Sequence, residues 1–407
     1  MRALAASSIL VYHAWLFSSP TGTRVGLGPL DAVLPDLSFG VILFFALSGF
    51  LLYRPYVASL LRGSPPPSVA SYLRNRALRI LPAYWTILLL VAFVFQSFLV
   101  RDQVGLHNGS SLDAGLLLRS ALFAQGYSPS SVVTGIGPAW SLAVEVVFYL
   151  VLPLLALSAF RLARGRSSRS ARRLAALAPA AALLLFGLSG KAVAAWIVPP
   201  VHAYAGWNAD WHSVIERSFW CHADLFSFGM ALAIIRIDWE DRLVRLPRGW
   251  RKLAFGLALA GYLVTARQTG LAEQMSYSPY NTLMAMTCAL LLALVVLPPR
   301  DAARLPLAVR VLETRIMVAA GLISYSLFLW HEPLTRFLQE HGMTFGGPAG
   351  FFANVAVVAA LAGLLSCLTY RFIEAPALRL KSRTRAAPSP QPDLAANELP
   401  ARRVKVV

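Results

Sequence analysis

The chain has 407 residues, a formal net charge of +18 and 57% apolar residues, with a mean hydropathy of +0.60. So much apolar sequence in long runs excludes a soluble cytosolic enzyme and points to a polytopic membrane protein. The positive charge sits mainly in loops between apolar runs, which excludes nucleic acid as its partner and assigns it to membrane topology and anionic lipid.

The hydropathy pattern predicts an all-α integral membrane protein of about ten transmembrane helices. They fall near residues 1–19, 37–60, 80–100, 138–160, 174–190, 219–236, 253–269, 279–298, 316–338 and 349–371. Most of the 37 Lys and Arg lie on the N-terminus, the tail and alternate connections. By the positive-inside rule both termini are then cytoplasmic. No cleavable signal peptide is expected, because neither a basic leader nor a small-residue cleavage site accompanies the first helix. The stretch SLDAGLLLRSALF (111–123) is too short and charged to span and suits the interface. RGSPPPS (62–68) is a stiff connection, and one membrane domain over 1–376 is followed by a basic, Pro-rich tail, 377–407, expected to be disordered. Cys221, Cys288 and Cys367 lie in or beside apolar segments without metal-ligand spacing. Neither a redox role nor a metal site is expected.

A charged side chain at mid-bilayer costs about 2.5–3.5 kcal/mol on insertion scales, so each polar exception needs a reason. In the first helix Arg2 and His13 are eleven residues apart, about 20° beyond three full turns and ~16 Å along the axis. They share one face with Ala5, Ala6 and Ile9 between them, a face small enough for close approach. This spacing suits either a site or a helix-anchoring arginine plus a hydrogen-bonded histidine. Ser48 and Gly49, midway through FFALSGFLL (44–52), suit close helix packing. Arg76 and Arg79 in SYLRNRALRILPAYW (71–85) could pair with phosphates or snorkel to the interface. Glu145, in PAWSLAVEVVFYLVLPLL (138–155), falls near the depth of His13. It could orient that imidazole, or hydrogen-bond a serine or tyrosine. ISYSLFLWHEPLTRF (323–337) brings His331, Glu332 and Arg336 near the outer surface, where the last two can pair one turn apart. YRFIEAP (370–376) adds Arg371 and Glu374 at the inner end of the last helix. The exceptions sort by depth, with phosphate-suited arginines inside and the histidine and glutamate further out. That order suits a phosphorylated donor handing a group to an acceptor deeper in, or across, the membrane.

Taken together, RALAASSILVYH (2–13), GVILFFALSGFLL (40–52), RNRALRILPAYW (74–85), WSLAVEVVFYLVLPLL (140–155), ISYSLFLWHEPL (323–334) and YRFIEAP resemble the membrane acyltransferase-3 family, the bacterial integral-membrane O-acyltransferases. The resemblance runs from Arg2 to about Pro376 and implies a ten-helix protein of the inner membrane. The implied reaction moves an acyl group, commonly acetyl, from acyl-CoA as co-substrate to a hydroxyl. The implied acceptor is an envelope carbohydrate, a glycolipid or a glycosylated natural product. No bound cofactor is implied. His13 matches the histidine regarded as catalytic, Arg2 the arginine of its motif, and Arg76 with Arg79 the cytoplasmic Arg-x-x-Arg. Ser48, Gly49, Glu145 and Glu374 match positions of less settled role, and His331 is expected as a further supporting residue. Members often carry Leu-Asp-Gly-Leu before the motif arginine, whereas here Arg2 follows Met1. Some fuse a periplasmic hydrolase-like domain, so this chain is expected to act alone or with a separate periplasmic partner.

The expected chemistry has Arg2, Arg76 and Arg79 hold the acyl-CoA phosphates while His13, oriented by Glu145, acts as base toward the acceptor hydroxyl, by direct transfer or through an acyl-histidine. The rival is a secondary transporter of a sugar, lipid or acylated metabolite. Intramembrane His and Glu would also suit its proton relay, but the paired interrupted helices common to transporters are not evident.

Overall fold

A computed structural model of the chain describes residues 1–17, 26–101, 106–109, 113–197, 208–266, 278–299 and 306–381. Among these residues, ten helices of at least 16 residues build the bundle. They are α1 (Arg2–Phe17), α2 (Gly40–Arg62), α3 (Val69–Phe93), α4 (Ala139–Leu162), α5 (Arg169–Trp196), α6 (Phe219–Glu240), α7 (Trp250–Thr265), α8 (Ser278–Val296), α9 (Arg315–Glu340) and α10 (Gly347–Thr369). Six helical stretches, containing α2, α3, α4, α5, α6 and α10, are both long and apolar enough to cross a bilayer. α1 has only 16 residues. α9 is long, but its buried face carries Ser324, Ser326, His331, Glu332 and Thr335, which lowers its hydropathy. The outer faces of the bundle expose large apolar side chains such as Leu89, Phe93, Leu154, Leu185, Leu253 and Phe372, as a surface solvated by lipid requires.

Side-chain caps set several helix starts. Ser68 accepts from the Ser71 N–H at 3.3 Å and opens α3 eleven residues earlier than hydropathy predicts. Arg76 and Arg79 therefore lie two turns inside α3. Ser168 likewise opens α5. α3 ends at Phe93, short of the predicted residue 100, and Gln96 takes a φ of +50° before the chain turns into a strand. Strand β1 (Phe98–Arg101) pairs antiparallel with β2 (Leu106–Gly109), a hairpin the hydropathy pattern misses. Leu99 also exchanges two 2.9 Å backbone hydrogen bonds with Gly135, fixing the loop that leads into α4. The predicted interfacial stretch 111–123 contains only an eight-residue helix, Ala114–Ala121. The predicted tail begins with order: α10 passes through a π-helical turn, Tyr370–Glu374, into a short helix, Ala375–Arg379. The rest of that predicted disorder, from residue 382, lies outside the described residues.

Glycines set the closest crossings. A Cβ on Gly49 would overlap the Phe226 carbonyl, and one on Gly229 the Ala46 carbonyl, so α2 and α6 meet backbone to backbone. Gly187 and Gly190 bring α5 equally close to Asp224 and Trp220 of α6. Between α5, α6 and α8, Lys191 Nζ donates to Asp224 Oδ2 and to Thr282 Oγ1, each at 2.6 Å. Both charges are buried. At the finish of α2 and α6, Arg54 pairs with Glu240 and Arg62 with Asp241, while Arg169 and Arg173 of α5 clamp Asp238. Removing one member of a buried ion pair costs about 3–5 kcal/mol, whereas replacing both by apolar groups is often near neutral. Lys191→Met is therefore expected to lower the unfolding midpoint in detergent sharply, and Lys191→Met with Asp224→Leu to recover most of the loss. Additive damage in the double variant would show that the pair is not a unit.

Candidate functional site

α1 packs along α9 and against α2. Ala5, Ala6 and Ile9, the small residues expected to face a neighbour, are buried. Because α1 is one continuous helix, it holds Arg2 and His13 on one side, ~16 Å apart.

At the upper end His13 Nδ1 lies 2.7 Å from His331 Nε2, with the rings stacked at 4.9 Å. His331 Nδ1 lies 3.1 Å from the Leu327 carbonyl. A carbonyl only accepts, so His331 Nδ1 carries the hydrogen and its Nε2, in the neutral ring, is the acceptor. His13 Nδ1–H must then donate to His331, which leaves His13 Nε2 bare. The tautomer of His13 is thus fixed by a second histidine. Phe17 stacks on the His13 ring at 5.7 Å, and the Arg336 guanidinium lies 4.0 Å over Phe17. Glu332 Oε1 accepts from Arg336 at 2.6 Å, the predicted one-turn pair. A Cβ at Gly137 would strike that carboxylate, so a larger residue there would displace Glu332 from its present position.

His13 borders a cavity of about 130 Å³. Tyr12, Ser38, Trp140, Glu216, Arg217, His222 and Asn281 join it on the walls, with Ile9, Ile42, Phe45 and Phe328 among the apolar remainder. His222 Nδ1 donates to the Ser218 carbonyl at 3.0 Å, so its Nε2 is also an acceptor. The ring tilts against Trp140 at 5.2 Å, and Arg217 lies 5.5 Å over the same indole. Apart from His13 and Ile9, none of these wall residues was singled out from sequence. An ionisable His222 inside an apolar run was the available signal.

Glu145 does not orient His13. Ser48 Oγ donates to Glu145 Oε1 at 2.5 Å and Tyr149 Oη to Oε2 at 2.8 Å. The serine or tyrosine bond, the other reading of that carboxylate, is the one adopted. Glu145 and Tyr149 belong instead to the lower end, since Tyr149 lies within electrostatic reach of Arg2 and Arg76. Gly49, beside Ser48, is a packing glycine.

At that lower end Arg79 lies within electrostatic reach of Arg2 and Arg76, and Lys381 within reach of all three. They are not equivalent. Arg79 donates to Glu374 Oε2 at 2.8 Å, and Glu374 is held in turn by Ser326 at 2.5 Å. The π-helical turn places Glu374 there, a use common for such turns at functional sites. Arg2 and Arg76 form no ion pair among the described residues, and the Nε of each is buried without a partner. Arg371, grouped with these arginines by depth, is exposed.

A family model described as an acyltransferase domain matches residues 1–371. The protein BcsY of Komagataeibacter xylinus, named as a membrane-bound transacylase, is 24% identical over 407 residues, covering 95% of this chain and 84% of its own. Nodulation protein 10 of Rhizobium leguminosarum bv. viciae is 28% identical over 171 residues, 38% of this chain and 42% of that protein. No solved structure matches.

The hydrogen-bond chain makes a spectroscopic prediction. In 15N spectra of histidine-labelled protein, His13 is expected as the Nδ1–H tautomer, and His331→Phe is expected to move it toward Nε2–H. An Nε2–H ring in the unaltered protein would contradict the geometry.

Proposed function

The chain belongs to the acyltransferase-3 family, and from that premise we propose that it moves an acyl group, most simply acetyl, from acyl-CoA to a hydroxyl of a carbohydrate, glycolipid or glycosylated natural product. All ten long helices span the inner membrane in this reading, with both termini cytoplasmic, as the charge alternation of the loops requires. The observation that carries the reading is α1 itself. It bears an orphaned arginine at one end and, three turns above, a histidine with a bare Nε2 that lines a cavity of mixed polar and apolar walls.

The phosphates of acyl-CoA dock on Arg2 and Arg76, while Arg79 is committed to Glu374 and holds α3 and the end of α10 in register around them. The thioester arm rises past Ser48, Glu145 and Tyr149 toward His13. The acceptor occupies the cavity, and His13 Nε2 takes its hydroxyl proton as the oxygen attacks the thioester carbonyl. The carbon–sulfur bond then breaks, and the thiolate leaves with the proton returned by the imidazolium. His331 raises the efficiency of this step by holding His13 in the basic tautomer, as a carboxylate does in a hydrolase triad. His222 and Asn281 line the acceptor's side of the cavity, and Arg336 keeps a fixed positive charge one ring away from His13.

General-base catalysis contributes about 10²–10⁴-fold. With labelled acetyl-CoA, His13→Ala is expected to reduce label transfer into membrane and glycan fractions by at least about a hundredfold at matched expression. Near-normal transfer would remove His13 from the chemistry. Substrate-driven proton flux with no transfer at all would favour a carrier.

A further inference from the structure

Five polar atoms at the lower end of the bundle are buried with no partner among the described residues: Arg2 Nε, Tyr56 Oη, Tyr72 Oη, Asn75 Oδ1 and Arg76 Nε. They come from three different helices, α1, α2 and α3. The Tyr56 and Tyr72 rings meet edge to face at 5.9 Å. Tyr72 and Arg76 are one turn apart on α3, and Tyr72 lies within electrostatic reach of Arg76 and Glu145. Tyr149, bonded to that glutamate, lies within reach of Arg2 and Arg76. Tyr56 is only 2% exposed, so water does not satisfy its hydroxyl from outside.

Orphaned buried polar groups are uncommon in folded proteins, and each one needs an explanation. Here four of the five are donors, two guanidinium N–H and two phenol O–H, and a net positive field surrounds them. Lys381 adds a cation at the rim, on a segment tethered where Arg74 donates to the Leu380 carbonyl at 3.1 Å. A donor-rich, cationic, largely buried group of side chains is complementary to an anion with several acceptor oxygens. An apolar tail or a neutral sugar would leave the arginines unmet.

We propose that Tyr56 and Tyr72 are phosphate-binding residues, their hydroxyls joining the Nε–H groups of Arg2 and Arg76 on the non-bridging oxygens of a diphosphate. The inference rests on the acyl-CoA reading for the identity of that diphosphate. It assigns the phenols to the nucleotide end of the donor, two turns of α2 away from Ser48 and the thioester path, and leaves Lys381 to close the rim. The same chemistry is offered by an anionic lipid headgroup, and the test separates the two sources.

The full chain in phosphatidylcholine nanodiscs is titrated calorimetrically with CoA and with pantetheine, which lacks the diphosphate. Tyr56→Phe and Tyr72→Phe are each expected to weaken CoA binding by about tenfold, the range of one hydrogen bond to a charged group, without altering pantetheine binding. Because each substitution deletes an orphaned buried hydroxyl, the ligand-free variants are expected to unfold no earlier than the parent. Unchanged CoA affinity in both variants, with CoA binding intact in the parent, overturns the proposal and leaves the acyl-CoA reading standing. Failure of the parent itself to bind CoA overturns that reading and the diphosphate assignment with it. Loss of CoA binding on transfer to phosphatidylglycerol nanodiscs, relieved by the phenylalanine variants, gives the site to a lipid headgroup and also overturns the proposal.

Discussion

The bond between His13 and His331 is the constraint around which the rest of this bundle is arranged. A polar ring within a helical membrane bundle is costly unless its hydrogen bonds are met inside the protein. His331 meets one of His13's two nitrogens at 2.7 Å and is itself anchored to the Leu327 carbonyl. That arrangement satisfies three of the four ring nitrogens and leaves one, on the cavity-lining His13, unmet among the described residues. The polar face of α9 follows from the same requirement, since Ser326, His331 and Glu332 each satisfy a partner on another part of the bundle or on α9 itself. α9 therefore reads as less apolar than the helices around it.

The two ends of α1 are chemically distinct, and the neighbouring helices respect the difference. Around Arg2 the bundle gathers cations with Glu374 close by, and it leaves two guanidinium Nε–H groups unsatisfied among the described residues. Around His13 it gathers aromatics, a second histidine and a cavity with polar walls. Along α2 the same sequence is seen: Tyr56 at the cationic end, Ser48 on Glu145, then Phe44 against Phe328, and Val41 on the cavity wall. A donor that is charged at one end and reactive at the other fits such a gradient, and close glycine crossings between α2 and α6 keep its walls fixed.

What could be read from sequence depended on how local each relation is. The shared face of Arg2 and His13 is legible because helix geometry converts an eleven-residue spacing into direction. The Glu332–Arg336 pair is legible for the same reason. The partner of His13 is 318 residues away in the chain, and depth alone could not choose between Glu145 and His331. Depth says how far along a helix a residue sits, not which neighbour it faces. The resemblance supplied His331 and Glu374 as positions without roles, and their bonds to His13 and Arg79 now suggest roles. The cavity wall was missed although His222 and Asp224 are ionisable residues in an apolar run. Lys191 was missed because the predicted fifth helix stopped one residue short of it. The start of α3 was misplaced because a serine cap and polar first turns carry little hydropathy.

In the proposed reaction α1 measures the distance between where the donor is held and where its acyl group reacts. The most direct test is an electron cryomicroscopy map of the full chain with a non-reactive thioether analogue of acetyl-CoA. Phosphate density is expected against Arg2 and Arg76, with the analogue's carbonyl beside His13 Nε2. An analogue bound with its acyl end away from His13, or with its phosphates on another face of the bundle, would contradict it.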